Sequence, residues 1–255
     1  MLKIMIYVFI ILVGLSFGSF ASVVIHRLHT HDKSLLGARS FCPKCANQLE
    51  VRDLVPVFSY LVNKFKCRFC KKPIAFRYPL LELCMAGIFF LTIALIGTGD
   101  VTKTVFYLFI VFVFIVLTFY DFLFKEIPDQ ISLPAVFIAI LYAVLNNSFT
   151  LLNLAIGIAI PVVFFGVLHF GSKGRWLGGG DIRIGALMGA LLGYPMILTG
   201  LFFGYLFGSI YSLVGLVLKK LDRKTQVPFA PFLLLGTYVA MFWGRDILDW
   251  YFALL

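Results

Sequence analysis

Long runs of apolar residues constrain this chain more than any other sequence feature. Eight such blocks occur, most of them close to the roughly 17–22 residues that an α-helix needs to cross about 30 Å of hydrocarbon. Composition agrees, because 61% of the 255 residues are hydrophobic and 13% are charged, whereas soluble domains are about 25% charged. We therefore predict an all-α polytopic membrane protein with about eight transmembrane helices. The predicted blocks are residues 4–25, 79–97, 104–120, 132–146, 151–170, 182–198, 200–218 and 229–244.

A secretory signal peptide is the alternative interpretation of the first apolar block, because the block follows Lys3 and ends near small residues. Its apolar run is longer than a usual signal core, and Gly14, Gly18 and Ser22 recur at four-residue spacing. Small residues at that spacing form packing faces between membrane helices. We therefore expect residues 1–26 to form a retained transmembrane helix.

The positive charges indicate an orientation. If the N-terminus lies outside and the helices alternate, nineteen of the 22 lysines and arginines face the cytosol, and only Lys3, Lys103 and Arg245 lie outside. Cytoplasmic loops of membrane proteins carry such an excess of positive charge. Topology and attraction to anionic lipid also account for the net charge of +10, so the lipid bilayer is an expected partner and nucleic acid is not.

Four of the five cysteines lie in the long polar segment that spans residues 27–78. They form two C-x2-C pairs, Cys42 with Cys45 and Cys67 with Cys70. Two such pairs offer four thiolates to one tetrahedral zinc ion, at a spacing close to that of zinc ribbons. Two disulfides are the alternative, but a reducing cytosol disfavours them. We predict structural zinc, which four thiolates would leave without an open catalytic position.

Two aspartates stand at the ends of apolar blocks, at the same predicted depth on the cytosolic side. Asp181 follows three glycines, which allow its backbone and an incoming peptide to approach closely; a plain helix cap is the alternative. Asp121 ends the third block, where the negative end of the helix dipole disfavours an acid. Because a charge inside the membrane costs roughly 2.5–3.5 kcal/mol, we expect both carboxylates to have a chemical purpose.

Paired carboxylates can share one proton, so that one acts as a base toward water and the other polarises a scissile carbonyl. Asp129 is a rival to Asp121, but it precedes the fourth block as a natural helix cap. The G-x-S-x-G match at residues 14–18 lies inside a predicted membrane helix, where the required strand–turn–helix elbow is absent. We therefore predict Asp121 and Asp181 as the catalytic pair of a membrane aspartyl protease.

Several segments, in this order, resemble the type IV prepilin peptidases of pilus, competence and type II secretion systems. Residues 17–28 are similar to the family's opening GSFLNVVIYRLP, with Ala21 and Ser22 as departures and His26 in place of an aromatic residue. GxGD alone is shared with presenilin-like intramembrane proteases, whereas its combination with the cysteine pairs is more specific. The other similar segments are the two C-x2-C pairs, residues 56–61 and 77–83, Asp121 upstream of 127–129, the GxGD stretch 178–181, and 228–232.

The resemblance implies a bifunctional enzyme of the bacterial cytoplasmic membrane. Such an enzyme cleaves the leader of type IV prepilins or pseudopilins after a Gly on the cytosolic side. It then methylates the new N-terminal residue from S-adenosylmethionine. Asp121 and Asp181 match the family's two catalytic aspartates, and Arg183 stands where a Lys is expected. The sequence assigns no residue to binding of the methyl donor.

Three parts are expected: a first transmembrane helix at residues 1–26, a cytosolic zinc-binding loop at 27–78, and a seven-helix membrane domain at 79–255 that carries the aspartate pair. Two other functions fit the same parts less well. A proton-coupled transporter would distribute acids across the membrane, whereas these aspartates share one side. A pilus-assembly scaffold with a regulatory zinc loop would tolerate loss of Asp181.

Overall fold

A computed structural model describes residues 2–30, 40–175, 177–222 and 225–254. Within these ranges the secondary structure is helical, apart from two isolated β-bridges in the cysteine loop. The all-α prediction is therefore confirmed for the described residues. The elements are α1 (Leu2–Thr30), a 3₁₀ turn (Val51–Asp53), α2 (Phe58–Val62), α3 (Arg77–Ile96), α4 (Val101–Phe124), α5 (Asp129–Leu145), α6 (Leu151–Gly171), α7 (Gly179–Leu192), α8 (Met196–Val217) and α9 (Ala230–Phe252).

Each of the eight predicted apolar blocks corresponds to one helix, and the short α2 is an addition. The largest differences at helix ends concern α9, which continues to Phe252 rather than ending at residue 244, and α7, which stops at Leu192 rather than at residue 198. The stop of α7 has a local cause. Gly193 causes this stop, because its φ of +61° is a left-handed conformation that glycine adopts readily. Gly193 also follows Gly185 and Gly189 at four-residue spacing, but it ends the helix and does not continue a packing face.

Among the described residues, five helices are long and apolar enough to cross a membrane, namely α1 (from Ile4), α3, α4, α6 and α8. Helices α5, α7 and α9 are not both long enough and apolar enough to cross a membrane, each for its own reason. Helix α5 has 17 residues, and α7 has 14, which is about 21 Å of helix against a core of about 30 Å. Helix α9 carries Arg245, Asp246 and Asp249 in its second half.

The chain forms two compact units, Met1–Val116 and Leu117–Leu255, and each is described by itself. In the first unit α1 packs along α3 at the predicted small-residue face. A Cβ on Gly14 would lie 2.7 Å from the Cα of Ala86, and one on Gly18 would lie 2.5 Å from the Cα of Glu82. These distances leave room only for glycine, so the predicted packing role is confirmed.

In the second unit α7 is the central helix and packs against α5, α6, α8 and α9. Its side chains Ile184, Leu187 and Met188 are fully buried. Glycines bring the neighbouring helices close, since a Cβ on Gly189 would lie 2.5 Å from the Cα of Ile158 in α6. A helix enclosed in this way holds its first turn, which contains Asp181, in a fixed position.

Candidate active site and metal centre

Asp181 lies in the first turn of α7, two residues after the helix begins at Gly179. Asp181 is 9% exposed, and its backbone N–H donates to the carbonyl of Gly178 at 3.2 Å. The first turn of a helix presents unpaired N–H groups and the positive end of the dipole. This environment stabilises a carboxylate that is otherwise removed from water.

The glycines before Asp181 have distinct structural roles. A Cβ on Gly180 would lie 2.6 Å from Cγ1 of Ile127, which belongs to the loop between α4 and α5. A Cβ on Gly178 would lie 3.7 Å from Oδ2 of Asp181, so any side chain there would stand beside the carboxylate. Close approach at this turn was expected, and at Gly180 the approaching group is the chain's own Ile127.

Asp121 lies in the last turn of α4 and is 6% exposed. Its Oδ2 accepts a hydrogen bond from the backbone N–H of Ala230 at 3.2 Å. Ala230 is the first residue of α9, so the carboxylate lies at the positive end of that helix. This contact offsets the unfavourable position at the end of α4. Pro231, placed in the first turn of α9, is a sequence signal for that helix start, but not for its contact with Asp121.

Asp121 and Asp181 both lie in the second unit, where the charge of Asp121 acts on Asp181. Both carboxylates are buried, and each lies at the N-terminal end of a helix, α9 for Asp121 and α7 for Asp181. Two carboxylates that act on each other repel when both are ionised, which disfavours the doubly ionised state. An arrangement of this kind can supply a base and an acid to the same reaction.

Asp129 has a different environment from Asp121. Its side chain is 54% exposed and forms an ion pair with Nη1 of Arg183 in α7. The same Nη1 donates to the carbonyl of Ile127 at 3.5 Å. Asp129 was predicted to cap α5, and this is wrong, because Pro128 occupies the cap position and no side chain caps the helix. Arg183 therefore ties the loop before α5 to the start of α7.

Two polar residues near Asp181 were not predicted. His169, close to the end of α6, hydrogen-bonds through Nδ1 to the carbonyl of Leu177 at 2.8 Å, so that nitrogen carries the proton. Tyr205 of α8 packs its ring on Phe229, with 5.0 Å between centroids. Both residues are within electrostatic range of Asp181. The signal for His169 was that a lone histidine interrupts an apolar block far from the chain's other three.

The four loop cysteines converge as predicted, with their sulfur atoms all within 4.8 Å of one another. Tetrahedral zinc with bonds of about 2.3 Å requires sulfur atoms about 3.8 Å apart, so small shifts would accommodate the ion. Neither pair forms a disulfide. The residues present therefore fit a metal such as zinc.

The two cysteine pairs have matching backbone geometry. Cys42 donates to Asn47 O and accepts from Ala46 N, while Cys67 donates to Lys72 O and accepts from Lys71 N, all at 2.8–2.9 Å. Burial opposes ionisation of Cys67, but N–H groups of Cys70 and Phe69, with the Cys42 side chain, lower the pKa of this thiol to about 7. Zinc binds thiolates, so the local backbone prepares Cys67 as a ligand.

Comparison with known proteins covers most of the chain. Residues 12–96 match the Bacterial Peptidase A24 N-terminal domain, and residues 108–213 match the Type IV leader peptidase family. A prepilin leader peptidase/N-methyltransferase of Bacillus subtilis (strain 168) is 32% identical over 244 residues, which cover 93% of this chain and 94% of the relative. The chain belongs to the type IV leader peptidase family.

Other relatives in the type IV leader peptidase family are also prepilin leader peptidase/N-methyltransferases. Those of Aeromonas salmonicida (strain A449) and Legionella pneumophila are 28% and 27% identical, over 96% of this chain and 93% and 94% of the relatives. No solved structure matches the chain significantly. The segment matched to the leader peptidase family contains Asp121 and Asp181, and the one matched to the N-terminal domain contains all four clustered cysteines.

Proposed function

We propose that this protein removes the leader of type IV prepilins or pseudopilins and methylates the new N-terminus. The observation that carries the peptidase activity is the buried pair Asp121 and Asp181, within electrostatic range of each other. The names of the relatives, which join a prepilin leader peptidase to an N-methyltransferase, support both activities. By resemblance to the family, cleavage follows a Gly on the cytosolic side.

Cleavage requires the pair to hold a single proton between the two carboxylates. The ionised aspartate takes a proton from a water molecule, whose oxygen attacks the scissile carbonyl carbon. The protonated aspartate donates to the carbonyl oxygen, and collapse of the tetrahedral intermediate returns a proton to the leaving nitrogen. Because the carboxylates interact, we expect a bell-shaped pH profile that belongs to the pair.

The four clustered cysteines would hold structural zinc and so fix the loop between α1 and α3. A site closed by four thiolates leaves no position for substrate, so this metal would not take part in cleavage. When bound, S-adenosylmethionine supplies the methyl group, and its transfer to the new N-terminal amine leaves S-adenosylhomocysteine and one proton.

The protein is a bacterial multi-pass membrane protein, and we propose that it crosses the cytoplasmic membrane eight times with its N-terminus outside. The five apolar helices support five of these crossings. The excess of lysine and arginine in alternate loops supports the orientation. This orientation would put the cysteine loop and both aspartates at the cytosolic face.

The test is coexpression with a prepilin, followed by mass spectrometry of the processed N-terminus. Wild type should remove the leader and add the mass of one methyl group. Asp121→Asn and Asp181→Asn should each abolish nearly all cleavage, since the two residues act as a unit and their losses should not add. Asp129→Asn is the matched control and should keep cleavage, because exposed ion pairs contribute about 0–1 kcal/mol. Cleavage by either of the first two variants at the wild-type rate would refute the proposed pair.

A further inference from the structure

The short helix α2 of the cysteine loop has its apolar side turned outward. Phe58, Leu61 and Val62, spaced as i, i+3 and i+4, form one face of this helix, and they are 63%, 56% and 61% exposed. An amphipathic helix on the surface of a water-soluble protein buries its apolar face and exposes its polar one. The reverse arrangement in α2 indicates that the surroundings of this outer face are apolar.

The polar side of α2 faces the interior of the unit Met1–Val116. Ser59, Tyr60 and Asn63 are half-buried and border the cavity that α1, α3 and the cysteine loop enclose. Phe65 follows the helix and packs its ring on that of Tyr60, with 4.9 Å between centroids, yet it is itself 51% exposed. The packing of the unit therefore fixes which side of α2 points outward, and Phe65 adds a further exposed apolar group.

A hydrogen bond holds the start of α2 at the level of the membrane helices. The backbone N–H of Val57, the residue before α2, donates to Oε2 of Glu82 in the second turn of α3 at 2.7 Å. The same carboxylate bonds the side chain of Ser19 in α1. Both acceptor and partner lie inside helices that are apolar enough to cross a membrane, Ile4–Thr30 and Arg77–Ile96. The start of α2 therefore lies beside segments that lipid surrounds.

The attachment of α2 to Glu82 is rigid. Val57 has a φ of +59°, which β-branched residues rarely adopt, and such a conformation persists only where its surroundings over-determine it. Glu82 is 8% exposed, and a Cβ on Gly18 would lie 2.5 Å from its Cα. Because both ends of the hydrogen bond are fixed by packing, the outer face of α2 is held in one position.

Positive charge accompanies this outer face. Residues 54–81 contain six lysines and arginines and no acid. Basic segments are attracted to anionic phospholipid headgroups, and lysine side chains extend from an apolar surface to reach them. An apolar face with nearby lysines matches the boundary between acyl chains and headgroups. Four of the six are exposed lysines that form no ion pair among the described residues, namely Lys64, Lys66, Lys71 and Lys72.

We propose that the outer face of α2 inserts into the membrane interface, with the four lysines on anionic phospholipid headgroups. Phe58, Leu61 and Val62 then contact acyl chains, while the polar side of α2 keeps its place in the wall of the unit. A bilayer fits this face better than a protein partner does, because α2 is attached at the level of spanning helices. The cysteine loop is thereby fastened to the membrane at its middle, in addition to its ends at α1 and α3. This inference goes beyond the proposed function and does not depend on it.

The test is photo-crosslinking of the full-length protein in vesicles of phosphatidylethanolamine and phosphatidylglycerol. The photoreactive amino acid p-benzoylphenylalanine replaces Phe58 or Val62, and mass spectrometry identifies what it captures. Both positions should form phospholipid adducts. Asn47 is the matched control, because it is an exposed residue of the same loop but lies at the first cysteine pair; it should form none above background. Circular dichroism in detergent checks that each variant is folded.

Two further changes separate the apolar contact from the electrostatic one. Leu61→Asp, made in the protein labelled at residue 58, should lower lipid adducts by about tenfold, because a carboxylate is unfavourable in hydrocarbon, whereas Leu61→Met should keep them. Wild type should capture phosphatidylglycerol about fivefold above its share of the vesicle lipid. Replacing the four lysines with glutamine should remove this enrichment and leave the total number of adducts close to wild type.

Lipid adducts at residues 58 and 62 that Leu61→Asp removes would support the proposal. Adducts to a second copy of the chain, or to prepilin in place of lipid when prepilin is added, would overturn it, since the face would then bind protein. A folded protein without adducts at both positions would also overturn it, because the face would then meet water. Phosphatidylglycerol captured only in proportion to its share would overturn the assignment of the lysines to anionic headgroups.

Discussion

At the scale of single residues, this protein stabilises buried acids with backbone N–H groups. Asp121 receives the N–H of Ala230, and Asp181 lies in the first turn of α7. No lysine or arginine forms an ion pair with either carboxylate among the described residues, whereas the exposed Asp129 pairs with Arg183. Helix N-termini favour anions without requiring a paired cation, which suits the proton exchange that we propose for this pair.

Replacing Asp121 should separate chemistry from stability. Asp121→Asn keeps an oxygen that accepts from Ala230, so thermal unfolding in detergent should stay close to wild type while cleavage is lost. Asp121→Ala leaves the buried N–H of Ala230 unpaired, which should lower the free energy of unfolding by about 1–3 kcal/mol. Equal unfolding temperatures for the two variants would show that the hydrogen bond to Ala230 contributes little.

His169 should act as a positioning residue for the turn that precedes Asp181. His169→Ala removes the bond to the carbonyl of Leu177, and the looser turn should lower cleavage between about tenfold and hundredfold. His169→Gln can donate to the same carbonyl and should restore part of the rate. The rates are measured on a prepilin peptide across a range of pH. Wild-type cleavage by His169→Ala would contradict this role.

At the scale of elements, glycines determine how closely helices and loops meet. Gly18 brings α1 onto α3 beside Glu82, and Gly180 brings the start of α7 onto Ile127 of the loop before α5. In both places a buried acid, Glu82 or Asp181, stands next to the close approach. Tight packing of this kind limits the movement of the side chains it carries.

Gly180→Ala should disturb the site by steric overlap with Ile127, at a cost of about 1–3 kcal/mol, and should reduce cleavage. Adding Ile127→Ala provides space for the new methyl group, so the double variant should recover part of the activity. Gly166→Ala in α6 is the control, because a Cβ there meets nothing within 4 Å. Thermal unfolding and cleavage are measured for all four proteins. The absence of rescue by Ile127→Ala would show that overlap is not the cause.

At the scale of the whole molecule, the cysteine loop and the two buried aspartates belong to different compact units. The cysteine cluster lies in Met1–Val116, and Asp121 and Asp181 lie in Leu117–Leu255. Methylation and cleavage should therefore respond differently to damage of the cysteine loop, because each compact unit has its own packing.

Cys67→Ser should remove the metal and unfold the loop, since structural zinc contributes on the order of 10 kcal/mol to small modules. The membrane helices should remain inserted, and methylation should fall much further than cleavage. Metal analysis should find about one zinc per wild-type chain, which four thiolates can hold. Cys84→Ser, outside the cluster, is the control. Equal loss of both activities in an inserted Cys67→Ser protein would contradict the separation.

The amino-acid sequence alone determined the features that act over short stretches of chain. Apolar blocks predicted the long helices, because the bilayer sets the length of a crossing helix. Two C-x2-C pairs predicted the cysteine cluster, because each pair closes one small loop around a tetrahedral ion. The order of the cysteine pairs, Asp121 and the GxGD stretch indicated the family that the comparisons then showed.

Only the tertiary structure decided which distant groups meet. Ala230 is 109 positions from the Asp121 carboxylate that it contacts, and Arg183 is 56 positions from Ile127. Residue 129 has the sequence pattern of a helix cap but forms an ion pair, because α7 brings a guanidinium beside it. The hydrogen bond from the N–H of Val57 to Glu82 likewise depends on how the loop packs against α3. Contacts of this kind are set by the shapes of packed surfaces, which local sequence patterns do not encode.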